Sequence, residues 1–147
     1  MPYIFFIFLA IIAGILIPVQ SGLNGKLGAT AKDPLMGALL SFVVGTLGTL
    51  LFFLLTRGGF SNIKATFQLP WYYWTGGLMG AFFVYTLIVA PPRLGIALTL
   101  GITVAAQMIF GILLDHYGWL GFPQDSVSWT KVGGALLLIA GVFLLRG

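Results

Sequence analysis

Two amide side chains within a long apolar stretch are the first residues of this sequence that could bind a polar molecule. Gln20 and Asn24 are four residues apart, so a helix places them on one face, and Ser21 lies beside them. Pro18 precedes them and removes the helical hydrogen bond of the Gly14 carbonyl, which predicts a kink. Buried polar groups need hydrogen-bond partners. These amides therefore either line a polar cavity or join neighbouring helices.

A second polar stripe lies further along the chain, at steps of four residues: Gly95, Thr99, Thr103, Gln107, Gly111 and Asp115. Such steps drift by about 40° each on a helix with 3.6 residues per turn, so only Thr99–Gln107 face one direction. Thr99, Thr103 and Gln107 could face the same cavity as Gln20 and Asn24. Alternatively, the threonines bond only their own helix backbone.

The charged residues near these stripes have two interpretations each. Asp115 and His116 end a predicted helix and could support a proton-linked step, or they form a solvated loop pair. Arg93 follows Pro91 and Pro92 with almost no loop. We expect Arg93 to extend to the membrane surface or to bond carbonyls that the prolines leave free, rather than to bind substrate.

Several kinds of chemistry lack the necessary residues. The chain has no cysteine, one histidine and three acidic residues, namely Asp33, Asp115 and Asp125, so it contains no glutamate. One chain can form neither a zinc site nor a Cys–His pair, and no glycine-rich phosphate loop is present. We therefore expect no enzyme activity, no metal and no cofactor. The dispersed net charge of +4 does not indicate nucleic-acid binding.

The elements that must position these residues are predicted to cross a membrane. Only 7% of the 147 residues are charged and 59% are hydrophobic, whereas soluble domains carry roughly 25% charged residues. A helix of about 20 apolar residues spans a bilayer. The uncharged runs predict one all-α domain over residues 1–147, with transmembrane helices at about 2–25, 34–56, 69–91, 93–115 and 128–146. No basic residue precedes Lys26, so we expect the first run to be a retained helix and not a signal peptide.

Local signals mark the predicted helix ends. Asp33-Pro34 is typical of an N-cap followed by proline at the first helical position, and Pro70 can begin the third helix in the same way. Gly118 is a candidate C′ glycine, and Ser126 or Ser128 can cap the fifth helix. Five crossings place all four tryptophans near one membrane face, as an interfacial belt requires.

Basic residues are almost evenly divided between the two predicted faces. Three lie on the face that carries the N-terminus and four lie on the other: Arg57, Lys64 and Lys131 against Lys26, Lys32, Arg93 and Arg146. The positive-inside rule needs an imbalance to set orientation. Either short-loop details fix a single topology, or copies insert both ways and pair antiparallel. An odd number of crossings favours dual topology, since two inverted copies give a ten-helix inverted repeat.

A set of short strings over nearly the whole chain resembles one family of membrane proteins. The strings are IPVQSGLN at 17–24, LSFVVG at 40–45, GGLMGA at 76–81, APPRLG at 90–95, Gln107, and LDHYG at 114–118. They resemble the five-helix YdcZ-like inner-membrane exporters of the drug/metabolite transporter superfamily, also called domain of unknown function 606. The resemblance implies a bacterial inner-membrane protein that works as a head-to-tail pair, related to the four-helix small multidrug resistance proteins. Those relatives use a glutamate in their first helix, which this sequence lacks, so their proton-antiport mechanism does not transfer.

These observations lead to a hypothesis of a multi-pass small-molecule exporter in the lipid bilayer, acting as an antiparallel homodimer. The expected substrate path lies between protomers and is lined by Gln20, Ser21, Asn24, Ser41, Tyr85, Thr103 and Gln107. The expected hinges are Pro18 and the segment Pro91, Pro92 and Arg93. The alternatives are a non-transporting scaffold or subunit of a larger complex, and a heterodimer with a paralogue.

Overall fold

The computed structural model describes residues 3–57 and 63–146, and these residues are almost entirely helical. Within them lie seven α-helices: α1 Tyr3–Ala31, α2 Pro34–Arg57, α3 Ile63–Thr66, α4 Gly76–Val89, α5 Pro91–Leu94, α6 Ile96–Tyr117 and α7 Trp129–Leu145. Two short 3₁₀ helices lie at Trp71–Thr75 and Trp119–Gly121. The predicted all-α class is confirmed for this part of the chain.

Four apolar segments are long enough to cross a bilayer: Tyr3–Ala31, Pro34–Arg57, Trp71–Leu94 and Ile96–Tyr117. The fifth predicted segment corresponds to α7, which is apolar but has only 17 residues. At 1.5 Å per residue it extends about 26 Å, near the lower limit for a transmembrane helix. Trp129 and Lys131 lie in the N-terminal turn of α7 and add to its length. The Lys131 side chain can keep its methylene groups against apolar surface while its ammonium group reaches water.

Local chemistry explains where several helices begin and end. The Leu35 amide donates to Asp33 Oδ1 at 2.8 Å, which confirms the predicted cap of α2. Ser128 caps α7 and accepts from the Lys131 amide at 3.3 Å. Gly118 ends α6 in the left-handed region at φ 62°, where a side chain would be strained. These three predicted signals act as expected.

Other boundaries differ from the predicted ones. Helix α1 ends at Ala31, six residues beyond the expected end at 25. The charged Lys26 is accommodated within the helix, and the chain turns only at Lys32, whose φ is 57°. The expected start at residue 2 lies outside the described residues. Pro70 precedes the 3₁₀ turn instead of beginning an α-helix. After the proline pair, Gly95 at φ 83° separates α5 from α6.

The chain divides into two units, and the boundary lies between Val89 and Ala90. In the first unit, α1, α2 and α4 all contact one another. Few side chains are buried there, among them Ala38, Leu87 and Ile88. Most large apolar side chains are exposed around the helices, as expected where lipid or another protein covers them.

The second unit is built from α5, α6 and α7, and α6 packs along α7. A Cβ atom added at Gly101 would lie 3.2 Å from Val142 Cγ2 and 3.3 Å from Leu145 Cδ1. A small residue therefore lets α7 approach α6 closely. Ala105, one turn further along α6, is buried. Gly101 and Ala105, four residues apart, thus lie where α6 and α7 pack closely, as small residues at this spacing do in membrane helices.

Candidate functional site

The first unit contains a tight contact between α1 and α2 next to their connecting turn. A Cβ atom added at Gly37 would lie 2.6 Å from the Asn24 carbonyl oxygen and 2.8 Å from the Gly28 nitrogen. Both are main-chain atoms, so no side chain could move aside. Gly28 in turn approaches Pro34 and Ile88. The backbones of the two helices are therefore in direct contact at this level, here called the Gly28–Gly37 contact.

Three of the predicted path residues, Ser21, Asn24 and Ser41, take part in hydrogen bonds between helices just beside this contact. The buried Asn24 Nδ2 donates to Ser41 Oγ on α2 at 3.0 Å. The buried Ser21 hydroxyl donates to the Leu87 carbonyl oxygen on α4. Ser21 and Asn24 therefore join α1 to its two neighbours. Their hydrogen-bonding capacity is partly used within the protein.

Beyond Ser41 the space between the helices opens into a cleft, here called the polar cleft. It has a volume of about 530 Å³, and its lining residues come from α1, α2 and α4. They are Gln20, Ser41, Phe42, Gly45, Thr46, Thr49, Leu50 and Val84. Both Gln20 and Ser41 from the predicted path lie here. The lining combines one amide and three hydroxyls with an apolar wall and contains no ionisable side chain.

The two threonines that line this cleft differ from the other threonines of the described residues in their hydrogen bonding. Eight of the threonine side chains in the described residues form a hydrogen bond: Thr30, Thr56, Thr66, Thr75, Thr86, Thr99, Thr103 and Thr130. Seven of them donate to a carbonyl three or four residues earlier, and Thr130 contacts Ser128 Oγ. Within the described residues, Thr46, Thr49 and Gln20 form no side-chain hydrogen bond. The cleft therefore keeps donors and acceptors available.

Tyr85 lies on a different surface. It lines an apolar groove of about 470 Å³ between α2 and α4, together with Leu35, Ala38, Leu39, Phe42, Ala81 and Phe82. Phe42 borders both this groove and the polar cleft. The Phe42 ring packs on Gly80, whose added Cβ would lie 3.6 Å from the ring. The structure thus separates Tyr85 from Gln20 by an aromatic side chain.

The predicted path residues of α6 belong to the second unit. Thr103 Oγ1 donates to the Leu100 carbonyl at 2.9 Å, and the buried Thr99 donates to the Gly95 carbonyl at 2.8 Å. Both threonines thus bond their own helix backbone, which was one of the two interpretations of this stripe. Gln107 is exposed, and its side chain forms no hydrogen bond within the described residues.

Asp115 and His116 anchor the loop that follows α6. The Asp115 carbonyl accepts from the Asp125 amide at 2.8 Å, and His116 Nδ1 accepts from the Val127 amide at 3.3 Å. Lys131 closes the other end of the loop with an ion pair to Asp125 at 2.8 Å. The Asp115 main-chain carbonyl and the His116 imidazole thus bond this loop, and a proton-linked role of the pair stays a prediction.

The predicted hinges lie in two different backbone settings. Pro18 lies inside α1, which continues as one helix from Tyr3 to Ala31. Pro91 and Pro92 begin the short α5, where the Arg93 amide bonds the Ala90 carbonyl at 3.0 Å. The Arg93 side chain is exposed. Of these two sites, the helix is continuous at the first and interrupted at the second.

Thr46 and Thr49 are lining residues that were absent from the predicted path. The face of α2 formed by residues 42, 45, 46, 49 and 50 follows the i, i+3, i+4 pattern of one helix side. This periodicity could have revealed both hydroxyls. The spacing of Gly45 and Thr49 at a step of four is also typical of small-residue helix packing, so periodicity alone assigns Thr49 to either role.

Comparisons with known proteins agree with the membrane fold and the resemblance found in the sequence. Residues 5–144 match the family described as "Putative inner membrane exporter, YdcZ". The chain is 31% identical over 137 residues to the inner membrane protein YdcZ of Escherichia coli (strain K12), covering 92% of this chain and 90% of that protein. No solved structure matches the chain significantly. This family is not an enzyme class. The chain is thus a multi-pass protein of the bacterial inner membrane and belongs to the YdcZ family of the drug/metabolite transporter superfamily.

Proposed function

We propose that this protein exports a small molecule across the inner membrane and that the polar cleft forms part of its substrate path. The observation that carries this proposal is the cleft itself. An amide and three hydroxyls from two helices meet in a space of about 530 Å³, within a chain that is 59% hydrophobic and only 7% charged. Polar side chains are costly inside a membrane and mark substrate pathways in transporters. The volume is within the range of small-molecule pockets.

The functional unit in this proposal is an antiparallel homodimer of two five-helix protomers. Support comes from the nearly equal numbers of basic residues on the two predicted faces and from the odd number of predicted crossings. Two inverted copies would place two polar clefts in related positions about the membrane plane. The path between protomers would be completed by the remaining candidates: Ser21, Asn24, Tyr85, Thr103 and Gln107.

Alternating access in this proposal uses the two proline sites differently. The break at Pro91 and Pro92, with Gly95 in a left-handed conformation, is the stronger candidate for a hinge. Pro18 frees the Gly14 carbonyl within a continuous helix, which permits bending without a break. Since no carboxylate lines the polar cleft, we propose a uniporter or a loosely coupled carrier rather than a proton antiporter of the glutamate type.

An efflux experiment without a preselected substrate tests the transport proposal. Proteoliposomes are loaded with a small-molecule extract of bacterial cytoplasm, and the compounds that leave are identified by mass spectrometry. We expect at least one compound to leave faster than from protein-free vesicles, and Gln20→Leu to slow that efflux. If no compound leaves faster with the protein than without it, the transport proposal is wrong. The scaffold alternative would then be favoured, above all if another protein always co-purifies.

Dual topology is tested separately with C-terminal reporters. One reporter is active only in the cytoplasm and the other only in the periplasm. Dual topology predicts signal from both fusions of the same chain, whereas signal from a single compartment would contradict the homodimer. In that case a heterodimer with an oppositely oriented paralogue remains the arrangement to test.

A further inference from the structure

We infer that the polar cleft binds an electrically neutral molecule that carries both hydrogen-bond donors and acceptors. This inference rests on the proposed transport function for its biological meaning, but it concerns binding and can be tested without transport. It depends on which groups line the cleft, which of them already have partners within the protein, and which chemical groups are missing from the lining.

The polar side chains of the cleft have hydrogen-bonding capacity that the described part of the protein does not use. Within the described residues, the side chains of Gln20, Thr46 and Thr49 have no protein partner, although eight other threonines do. Ser41 Oγ accepts from Asn24 at 3.0 Å, which leaves the Ser41 hydroxyl proton able to donate. The cleft therefore offers an amide, which both donates and accepts, and three hydroxyls. Groups of this kind require a partner when water is excluded.

The side chains that line the cleft are uncharged. The cleft lining contains no Asp, Lys, Arg or His side chain. A cation or anion entering it would lose hydration without meeting an opposite charge, which disfavours binding strongly. A neutral amide, hydroxyl or urea-like group pays a smaller desolvation cost and can pair with both donors and acceptors. The apolar part of the wall, including Phe42, Leu50 and Val84, suits a ligand with an attached apolar body.

The hydroxyls of the cleft lie apart from the residues through which α1 and α2 pack together. The small-residue contact between α1 and α2 is already complete at the level of Gly28 and Gly37. At Gly45, by contrast, an added Cβ would meet no atom within 4 Å. The hydroxyls at Thr46 and Thr49 therefore lie beyond the part of the helix pair that needs them for packing. The Gly28–Gly37 contact thus positions the two helices, and the cleft beyond it leaves room for a ligand.

Binding of a charge series to the full-length protein in lipid nanodiscs tests the inference. Benzamide, benzamidine and benzoate have nearly the same shape, but at neutral pH they are neutral, cationic and anionic. Saturation-transfer difference NMR reports the affinity of each. We expect saturable binding of benzamide, at least about 10-fold tighter than that of either ion, given the cost of leaving a charge unpaired. Tighter binding of either ion, or no saturable binding of benzamide, would overturn the inference.

Substitutions then locate the site. Thr46→Val and Thr49→Val keep the side-chain shape, and each should weaken benzamide binding by roughly 3- to 10-fold if its hydroxyl bonds the ligand. Thr86→Val is the matched control, because the Thr86 hydroxyl donates to the Phe82 carbonyl and does not line the cleft. It should change the affinity by less than about 2-fold. Equal effects at all three positions would place the binding elsewhere and contradict the assignment.

The outcomes also separate this inference from the transport proposal. If benzamide binds and the variants weaken it, but no compound leaves the proteoliposomes, the cleft is a ligand site of a protein that does not transport. If a compound is exported but the charged probes bind more tightly, transport stands and the inference fails. Where a variant does not fold, the charge series on the unmodified protein still decides the question.

Discussion

A methyl group at Gly37 should break the contact between α1 and α2, and its cost can be estimated from the structure. The added Cβ would lie 2.6 Å from the Asn24 carbonyl oxygen and 3.0 Å from Gly28 Cα. Ordinary contact begins near 3.4 Å, so the helices must separate by about 0.8 Å. That shift would lengthen the 3.0 Å bond between Asn24 and Ser41 to about 3.8 Å, which is no longer a hydrogen bond.

Both effects lower stability. Overpacking costs typically about 1–3 kcal/mol, and an interhelical hydrogen bond in a membrane contributes about 0.6 kcal/mol. We therefore expect Gly37→Ala to lower the free energy of unfolding by about 2–3 kcal/mol. Gly45→Ala is the control, because an added Cβ there meets nothing within 4 Å. It carries the same gain in helix propensity, so the difference between the two variants isolates the packing term.

The assay is reversible unfolding in mixed micelles of mild detergent and SDS, followed by circular dichroism. Gly28→Ala should fall between the other two variants, since its added Cβ would lie 3.1 Å from Pro34 Cα and 3.4 Å from the Asp33 oxygen. Equal stability of Gly37→Ala and Gly45→Ala would refute the close approach of α1 and α2. The polar cleft would then lack the Gly28–Gly37 contact that positions the two helices lining it.

Three further substitutions test other parts of the structure. Ser21→Ala removes a buried donor to an α4 carbonyl and should cost about 0.5–1.5 kcal/mol in the same unfolding assay; no change would show that the bond is unimportant. Gly118→Ala places a side chain at φ 62° and should cost about 1–2 kcal/mol, whereas Gly111→Ala, which has open space, should not destabilise. His116→Ala removes the acceptor of the Val127 amide, so hydrogen exchange of the loop after α6 should accelerate; unchanged exchange would contradict a structural role for the imidazole.

The sequence was most informative where one residue and its neighbours determine the conformation. Asp33 before Pro34 is enough to begin a helix, because the side chain bonds an amide only two residues away. Gly118 ends α6 for a similarly local reason. The apolar runs predict membrane helices because each run is long enough to cross a bilayer. None of these predictions needed knowledge of which helices touch.

The candidate site was only partly predictable, because it depends on distances between helices. Gln20 and Asn24 lie on the same face of α1, and nothing in their spacing assigns them different roles. The structure does: Asn24 is close to α2 and bonds Ser41, whereas Gln20 lies one turn further from the connecting turn, where the helices have separated. The same separation places Thr49 at the polar cleft, although its spacing with Gly45 is also typical of helix packing.

One face of α2 thus changes its role along its length. Gly37, Ser41, Gly45 and Thr49 are spaced at intervals of four, and periodicity alone assigns them a single function. Gly37 contacts the α1 backbone, Ser41 accepts a hydrogen bond from the Asn24 side chain, and Gly45 and Thr49 border open space. The change follows from two helices that meet next to a short turn and diverge beyond it. Substitutions near the turn should therefore alter stability, and substitutions within the cleft should alter ligand binding at nearly constant stability.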